Sequence, residues 1–272
     1  MRRRILPGFG LTLGFSTAYL GLIVLLPLAG LLIKAATMEP GRAWALFADP
    51  RTLSAFRVSF GVSAVAALAS VPAGLLIAWV LERYRFPGRR VLDGAVDLPF
   101  ALPTAVAGIA LTTLYVPDGW LGALLAPLGI TVAFTPLGIG VALLFIALPF
   151  VVRAIQPVLA GLDRAAEEAA MTLGATPWQT FRLVVLPPLL PAIATGAALA
   201  FARAVGEYGS VIFIAGNRPL VSEIVPLLIV IKLEQYDYAG AALLGSAMLL
   251  LSFTLLVVID YVQGRGAAGR AA

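Results

Sequence analysis

Cysteine and histidine are both absent from the 272 residues of this chain. Without cysteine, the chain can form neither a disulfide nor a thiolate metal site. Without histidine, it lacks the commonest zinc ligand and the side chain that most often acts as a general base near neutral pH. The two absences argue against an enzyme and against a metal site, and we expect this chain to hold no cofactor of its own.

Charged residues are also scarce, at 12% of the chain, whereas an average soluble protein carries about 25%. Hydrophobic residues make up 61%, and the mean hydropathy is +0.99. A chain of this composition cannot cover a surface exposed to water, so most of it must face membrane lipid. The net charge of +5 comes from residues scattered between apolar runs, which disfavours a nucleic-acid partner.

Six apolar segments are long enough to cross a bilayer as helices, since a crossing needs about 20 mostly apolar residues. They lie near residues 11–33, 55–81, 96–116, 134–152, 189–216 and 240–262. The apolar run within 219–233 is too short to cross and predicts an interfacial or re-entrant segment. The pattern predicts an all-α membrane protein, with a single transmembrane domain over residues 1–272.

Two features bear on the assignment of these spans, the prolines within them and the arginines at the N-terminus. Pro99 and Pro103 fall in the third segment, and two further prolines in the fourth, where neighbouring helices must satisfy the freed carbonyls. The arginines at positions 2–4 and the apolar run after them superficially resemble a secretory signal. The run is longer than a signal core, and no clear cleavage site follows it, which favours an uncleaved first span.

Arginine and lysine are concentrated on one side of the six segments. The N-terminus, the 82–95 and 153–188 loops and the tail at 263–272 carry twelve of them, and the loops of the other side carry five. Those five are Lys34, Arg42, Arg51, Arg218 and Lys232. Because basic loops stay in the cytoplasm, both termini and the 153–188 loop are expected there.

Two short helices are predicted within residues 162–188. Asp163 can cap the first, and Gly174 can adopt the left-handed conformation that ends it. Residues 176–179 read Thr-Pro-Trp-Gln, the pattern of a capping box with proline at the first helical position, and Pro187 with its neighbour Pro188 is expected to close the second helix. This local pattern fits equally well two amphipathic helices lying on the membrane surface.

The same stretch contains Glu168-Ala169-Ala170, then Gly174 after three residues, then Val184-x-Leu186-Pro187 after nine more. It resembles the EAA loop of bacterial ABC importer permeases, with valine where isoleucine is commoner. In that family the loop is a coupling helix that docks on the ATP-hydrolysing subunit, and the fold is that of a type I importer permease. The resemblance implies an ATPase-coupling role for Glu168, Ala169, Ala170, Gly174 and Pro187.

A separate ATPase partner is implied because the chain has no P-loop of its own. Its two lysines follow isoleucine, so the sequence G-x-x-x-x-G-K occurs nowhere. ATP and Mg²⁺ would therefore bind to the partner subunit.

Two ionisable residues fall near the middle of the fifth predicted span. Arg203 and Glu207 are four residues apart, so they lie on one helix face and can pair. Charged groups at this depth cost roughly 2.5–3.5 kcal/mol, which favours either a structural pair or a translocation path. Ser210 and Thr104 supply hydroxyl donors for an anion, and Arg57, early in the second span, is a further candidate for the path.

Three segments carry a closer resemblance, to the T-type permease subunit of sulfate/thiosulfate importers. They are residues 97–110, 206–217 and 232–238, and with the EAA loop the resemblance extends over about 55–262. Molybdate permeases share Gly206-Glu207 and the region of Asn217, so molybdate or tungstate stays open as an alternative substrate.

The resemblance also implies an assembly in the bacterial inner membrane. It would contain two ATP-binding subunits, a second related permease or a second copy of this chain, and an extracytoplasmic sulfate-binding protein. An ion-coupled secondary transporter that uses Arg203 and Glu207 as its coupling pair is the rival class, although such a protein would have no use for an EAA loop.

Overall fold

The computed structural model describes residues 9–268, with the backbone alone for residue 260 and residues 262–268. This part of the chain is helical and contains no strand. In chain order the helices are α1 Phe9–Ala36, α2 Pro40–Ala48, α3 Pro50–Arg83, α4 Arg89–Val96, α5 Leu98–Ala101, α6 Thr104–Tyr115, α7 Trp120–Leu125, α8 Pro136–Ala160, α9 Arg164–Thr172, α10 Pro177–Val205, α11 Val211–Ile214, α12 Val225–Glu234 and α13 Tyr238–Ala268. The arginines at positions 2–4 and residues 269–272 of the predicted tail lie outside the described residues.

Six segments of the described chain are long and apolar enough to cross a membrane. They are Phe9–Ala36, Pro50–Arg83, Thr104–Leu128, Pro136–Ala160, Pro177–Val205 and Tyr238–Ile259. The predicted all-α architecture with six spans is confirmed. Helix α12 has only 10 residues, which confirms that the apolar run within 219–233 is too short to cross.

The third span lies further along the chain than the predicted 96–116. Leu102 is extended, with ψ of 134°, because the ring of Pro103 disfavours a helical conformation in the residue before it. This break separates residues 89–101, which form the two short helices α4 and α5, from the span. The span begins at Thr104 and continues through α7 after a break at residues 116–119.

The expectation that Pro187 and Pro188 end the second loop helix was wrong. Residues 181–185 form a π-helical turn, in which the N–H of Leu186 donates to the carbonyl of Phe181. The prolines follow at the start of the next α-helical stretch, where a missing N–H costs least. The second loop helix and the fifth span are thus one helix, α10, and the predicted loop boundary at residue 188 lies inside it.

Two other predicted boundaries also shift. The fifth span ends at Val205 instead of residue 216, because residues 206–210 are not helical. The fourth span extends to Ala160 instead of residue 152, so Arg153 lies on a helix and not in a loop.

Helices α3, α8 and α10 form the centre of the bundle. Val151 of α8 packs between Gly74 of α3 and Gly196 of α10, and a Cβ at either glycine would lie under 3 Å from its atoms. Small residues of this kind let membrane helices approach closely. Helix α13 packs against α1 and α12 at the side of this centre.

Helix α3 connects two ends of the bundle. We call the end that carries α4, α5 and α9 the loop end, and the end that carries α2 and α12 the distal end. At the distal end, Arg51 donates to both carboxylate oxygens of the buried Glu223 at 2.6 and 2.7 Å. Ser59 of α3 accepts the backbone N–H of Val225 there.

Candidate transport and coupling sites

The break after α10 holds the predicted pair of Arg203 and Glu207. The Glu207 side chain is 3% exposed, and its Oε2 accepts from Arg203 Nη1 at 2.6 Å. Its Oε1 accepts from the backbone N–H and the hydroxyl of Ser210, at 2.9 and 3.1 Å. The predicted pairing is present, although the helix ends at Val205 and does not carry both residues on one face.

Glu207 therefore has both carboxylate oxygens in use inside the protein, whereas Arg203 does not have all of its donors in use. Only Nη1 of Arg203 donates within the described chain, and 36% of this side chain is exposed. The arrangement leaves a half-exposed cation whose position is fixed by a buried anion.

The N-terminus of α6 lies against this break. A Cβ at Gly209 would lie 2.1 Å from the hydroxyl oxygen of Thr104, and a Cβ at Gly108 would lie 2.4 Å from the carbonyl oxygen of Ser210. Only glycine at positions 209 and 108 lets the chain approach these atoms so closely. The structure thus brings Thr104 and Ser210 together, as two of the predicted pathway residues, next to a helix N-terminus.

A small cavity lies beside Glu207 and is lined also by Ser59 and Ser63 of α3. It has room for no more than about one water molecule, so it cannot admit a tetrahedral oxyanion. Arg57 is exposed, two residues from Ser59 toward the distal end, and no hydrogen bond in the described chain joins it to this site.

The predicted features of the 162–188 loop are present. Asp163 caps α9 by accepting the N–H of Ala165 at 2.9 Å, and Gly174 is left-handed, with φ of 88°. Thr176 and Gln179 form a reciprocal capping box at the start of α10.

The loop displays an apolar surface. Leu173 is 89% exposed and Trp178 67%, and Glu168 and Ala169 are exposed beside them. Ala170 is half-buried. Pro187 is also half-buried and lies within α10, so it is not part of the displayed surface.

Two groups of ion pairs at the loop end were not anticipated from the sequence. Arg83, at the end of α3, forms a salt bridge with Glu167 of α9 across 84 residues of chain. Arg153 of α8 donates to both carboxylate oxygens of Asp97 at 2.9 and 2.6 Å and to Asp93 of α4 at 2.6 Å. The hydrogen bond from Arg153 holds the pKa of Asp93 below its ordinary value.

The only sequence signal for the second group was the spacing of Asp93 and Asp97, one helical turn apart on an amphipathic segment. A single arginine at the end of an apolar helix, such as Arg153, indicates a charge at the membrane surface. It does not indicate which residue pairs with that charge. No local pattern pointed to Arg83 and Glu167, or to Arg51 and Glu223 at the distal end.

Comparison with known proteins places this arrangement in a family. The profile of the family described as "Binding-protein-dependent transport system inner membrane component" matches residues 70–266. The probable sulfate transport system permease protein cysT of Nephroselmis olivacea is 51% identical over 90% of this chain and 86% of its own length. The sulfate transport system permease protein CysT of Escherichia coli K12 is 48% identical over 97% of this chain and 95% of its own.

Solved structures agree at the level of the fold. A bacterial ABC transporter that imports the acidic polysaccharide alginate superposes with a TM-score of 0.77 at 16% identity, over 93% of this chain and 94% of the other. The MetNI methionine ABC transporter superposes with a TM-score of 0.58 at 20% identity, over 85% and 99% of the two chains. The profile match and the near full-length identity show that the chain belongs to the family of binding-protein-dependent transport system inner membrane components, among the CysT-type sulfate permeases.

Proposed function

We propose that this chain is the membrane-spanning permease subunit of an ATP-driven importer that moves sulfate or thiosulfate inward across the inner membrane. The observation that carries the proposal is the identity of 48% with the Escherichia coli sulfate permease over 97% of this chain. The displayed loop and the polar site beside Glu207 supply the two parts that such a permease needs.

The proposed assembly follows from the family. A binding-protein-dependent permease works with an ATP-hydrolysing partner and a binding protein, and a structural neighbour was solved with a periplasmic protein that carries alginate. For this chain we assign two ATP-binding subunits, a second related permease or a second copy, and an extracytoplasmic sulfate-binding protein. The loop end faces the cytoplasm, as the excess of basic residues favours, and the distal end receives the binding protein.

The coupling surface is the exposed part of the 162–188 loop. Leu173 and Trp178 are too exposed to contribute to the core of this chain, and large apolar side chains of this kind favour burial in a partner. Glu168, Ala169, Ala170 and Gly174 lie in the same loop. ATP closes the partner dimer, the loop moves with it, and the bundle alternates between outward-open and inward-open states.

The anion meets Arg203 and not Glu207. Glu207 is buried, negatively charged and hydrogen-bonded at both oxygens, and the cavity beside it is too small for sulfate. Arg203 has free donors and is partly exposed. Thr104, with the N-terminus of α6, adds neutral donors of the kind that bind anions. Ser210 is buried and gives its N–H and its hydroxyl to Glu207, so its part in the path is to hold Glu207 in place.

The test is uptake of radiolabelled sulfate by proteoliposomes that hold the complete importer, with ATP inside and the binding protein outside. We expect accumulation that requires ATP and is inhibited by thiosulfate but not by molybdate. Inhibition mainly by molybdate would mean that the protein is still an ATP-driven importer but that its substrate is molybdate. Accumulation by an intact assembly without ATP would replace the class by a secondary transporter.

A further inference from the structure

The two adjacent glutamates of the loop face different ways. Glu168 is exposed beside the apolar surface of the loop, whereas the Glu167 side chain is 19% exposed and binds Arg83. Arg83 is the last residue of α3, and its side chain is 11% exposed. Helix α9 is thus attached to α3 on one side while its other side stays free.

Aromatic side chains extend this attachment from α9 to α10. The guanidinium of Arg83 lies 5.3 Å from the centre of the Trp79 ring. Trp79 contacts Phe181 edge-on at 5.6 Å, and Phe181 stacks on the exposed Trp178 at 5.7 Å. The loop therefore meets α3 through one ion pair and one aromatic cluster, both at the same helix end.

Helix α3 reaches two further polar sites described above, the cavity beside Glu207 and the distal ion pair. Its 34 residues span about 50 Å at a rise of 1.5 Å per residue. Between Arg83 and Arg51 it carries Ser59 and Ser63, which line the cavity beside Glu207. At the distal end its Arg51 holds Glu223.

We propose that the Arg83–Glu167 pair is the contact through which movement of the loop is transmitted to α3, and so to the anion site and the distal end. Arg83 and Glu167 are positioning residues, since neither touches the substrate or ATP. The inference rests on the proposed function, because it gives one ion pair a role in the coupling assigned there to the loop. Within the described chain, Glu167 is the carboxylate that neutralises Arg83, and Arg83 Nε is buried without a hydrogen-bond partner.

The test compares Arg83→Gln and Glu167→Gln with the exchanged double variant Arg83→Glu/Glu167→Arg in the complete importer. The quantity measured is the amount of sulfate accumulated per ATP hydrolysed. We expect each single variant to lower this ratio at least about fivefold while ATP hydrolysis continues, and the exchanged pair to recover at least about half of it. Glu167→Asp keeps the charge and retracts the carboxylate by one methylene, so it should lower the ratio to an intermediate value.

The matched control is Arg89→Gln, which removes a charge at the same end. Arg89 pairs with Glu82 at 3.4 Å and does not involve the loop, so its ratio should stay at the wild-type value. Unchanged ratios in the single variants and in Glu167→Asp would overturn the inference, as would an exchanged pair no better than either single variant. Loss of bound ATPase from Glu167→Gln but not from Arg83→Gln would also overturn it, since Glu167 would then act on the partner directly. Absence of ATP-dependent uptake in the wild-type importer would instead reject the proposed function.

Discussion

Glu207 and Arg203 show how a buried charge can be fully used inside a protein while its partner stays available. The backbone N–H and the hydroxyl of Ser210 donate hydrogen bonds to one carboxylate oxygen of Glu207, and Arg203 donates to the other. A carboxylate in this state offers nothing to a dianion and would repel it if it were exposed. Its contribution is to hold Arg203 in place without the pair having to separate during transport.

A double-variant experiment separates an anion contact from a purely structural pair. We expect Arg203→Gln to lower the maximal rate of sulfate uptake at least about tenfold, equivalent to roughly 1.4 kcal/mol in the barrier. Glu207→Gln should also lower it, because Arg203 then loses the buried anion that fixes its position. The double variant Arg203→Gln/Glu207→Gln removes both charges, so it should regain the thermal stability lost in Glu207→Gln but not the uptake. Recovery of uptake in the double variant would show that the pair is only structural.

The individual residues of this site were predictable, but their grouping was only partly so. Arg203 and Glu207 stand out because ionisable residues are rare in apolar spans, and Ser210 and Thr104 because hydroxyls can serve an anion. Their meeting depends on Gly209 and Gly108, which let the break after α10 touch the start of α6. That contact joins residues about a hundred positions apart, and no local pattern specifies it.

At the scale of elements, proline was the residue most easily misread. The sequence Pro187-Pro188 suggested a helix end, because proline cannot donate the hydrogen bond that a helix interior requires. The π-helical turn at residues 181–185 changes the register so that the prolines fall where that bond is not needed. The continuous helix α10 then connects the displayed Trp178 to Arg203 in one piece. Capping signals such as Asp163 and Thr176 were read correctly because they depend on neighbours within three residues.

Gly174 gives a prediction at the scale of the loop. It is left-handed, and a Cβ there would meet nothing within 4 Å, so a substitution acts through backbone conformation and not through a clash. Gly174→Val should uncouple uptake from ATP hydrolysis, because a β-branched residue in this conformation costs at least about 1–2 kcal/mol. Gly174→Asn should retain most of the uptake, since asparagine accepts the left-handed conformation at helix ends.

Both variants are compared by sulfate uptake per ATP hydrolysed, with the amount of inserted protein measured in parallel. Equal uptake by the valine and asparagine variants would mean that the conformation of residue 174 does not matter for coupling. Loss of inserted protein in the valine variant alone would assign Gly174 to folding.

For the whole molecule, the composition predicted that lipid surrounds most of the chain. The distribution of basic residues predicted which side of it faces the cytoplasm. The scarcity of charge required lipid around most of the chain, and six spans followed from the apolar runs. The long-range ion pairs were not predictable, because each joins residues 56 or more positions apart. Two of them connect α3 to the loop at one end and to the segment before α12 at the other, and the third joins α8 to Asp97. The bundle is therefore held together by ion pairs at its two polar surfaces.

The chain has no cysteine, so any introduced cysteine is the only one in it. The orientation of these two surfaces can therefore be tested by labelling an introduced cysteine on each. Thr172 lies at the loop end and Thr131 on the side of the opposite loops, and both are exposed. In cells that produce this chain without its ATPase partner, a membrane-impermeant maleimide should label Thr131→Cys at once. It should label Thr172→Cys only after the inner membrane is permeabilised, because the side with twelve basic residues stays in the cytoplasm. The reverse pattern would put the loop outside the cell, where no ATP-hydrolysing partner could reach it, and the proposed coupling would fail.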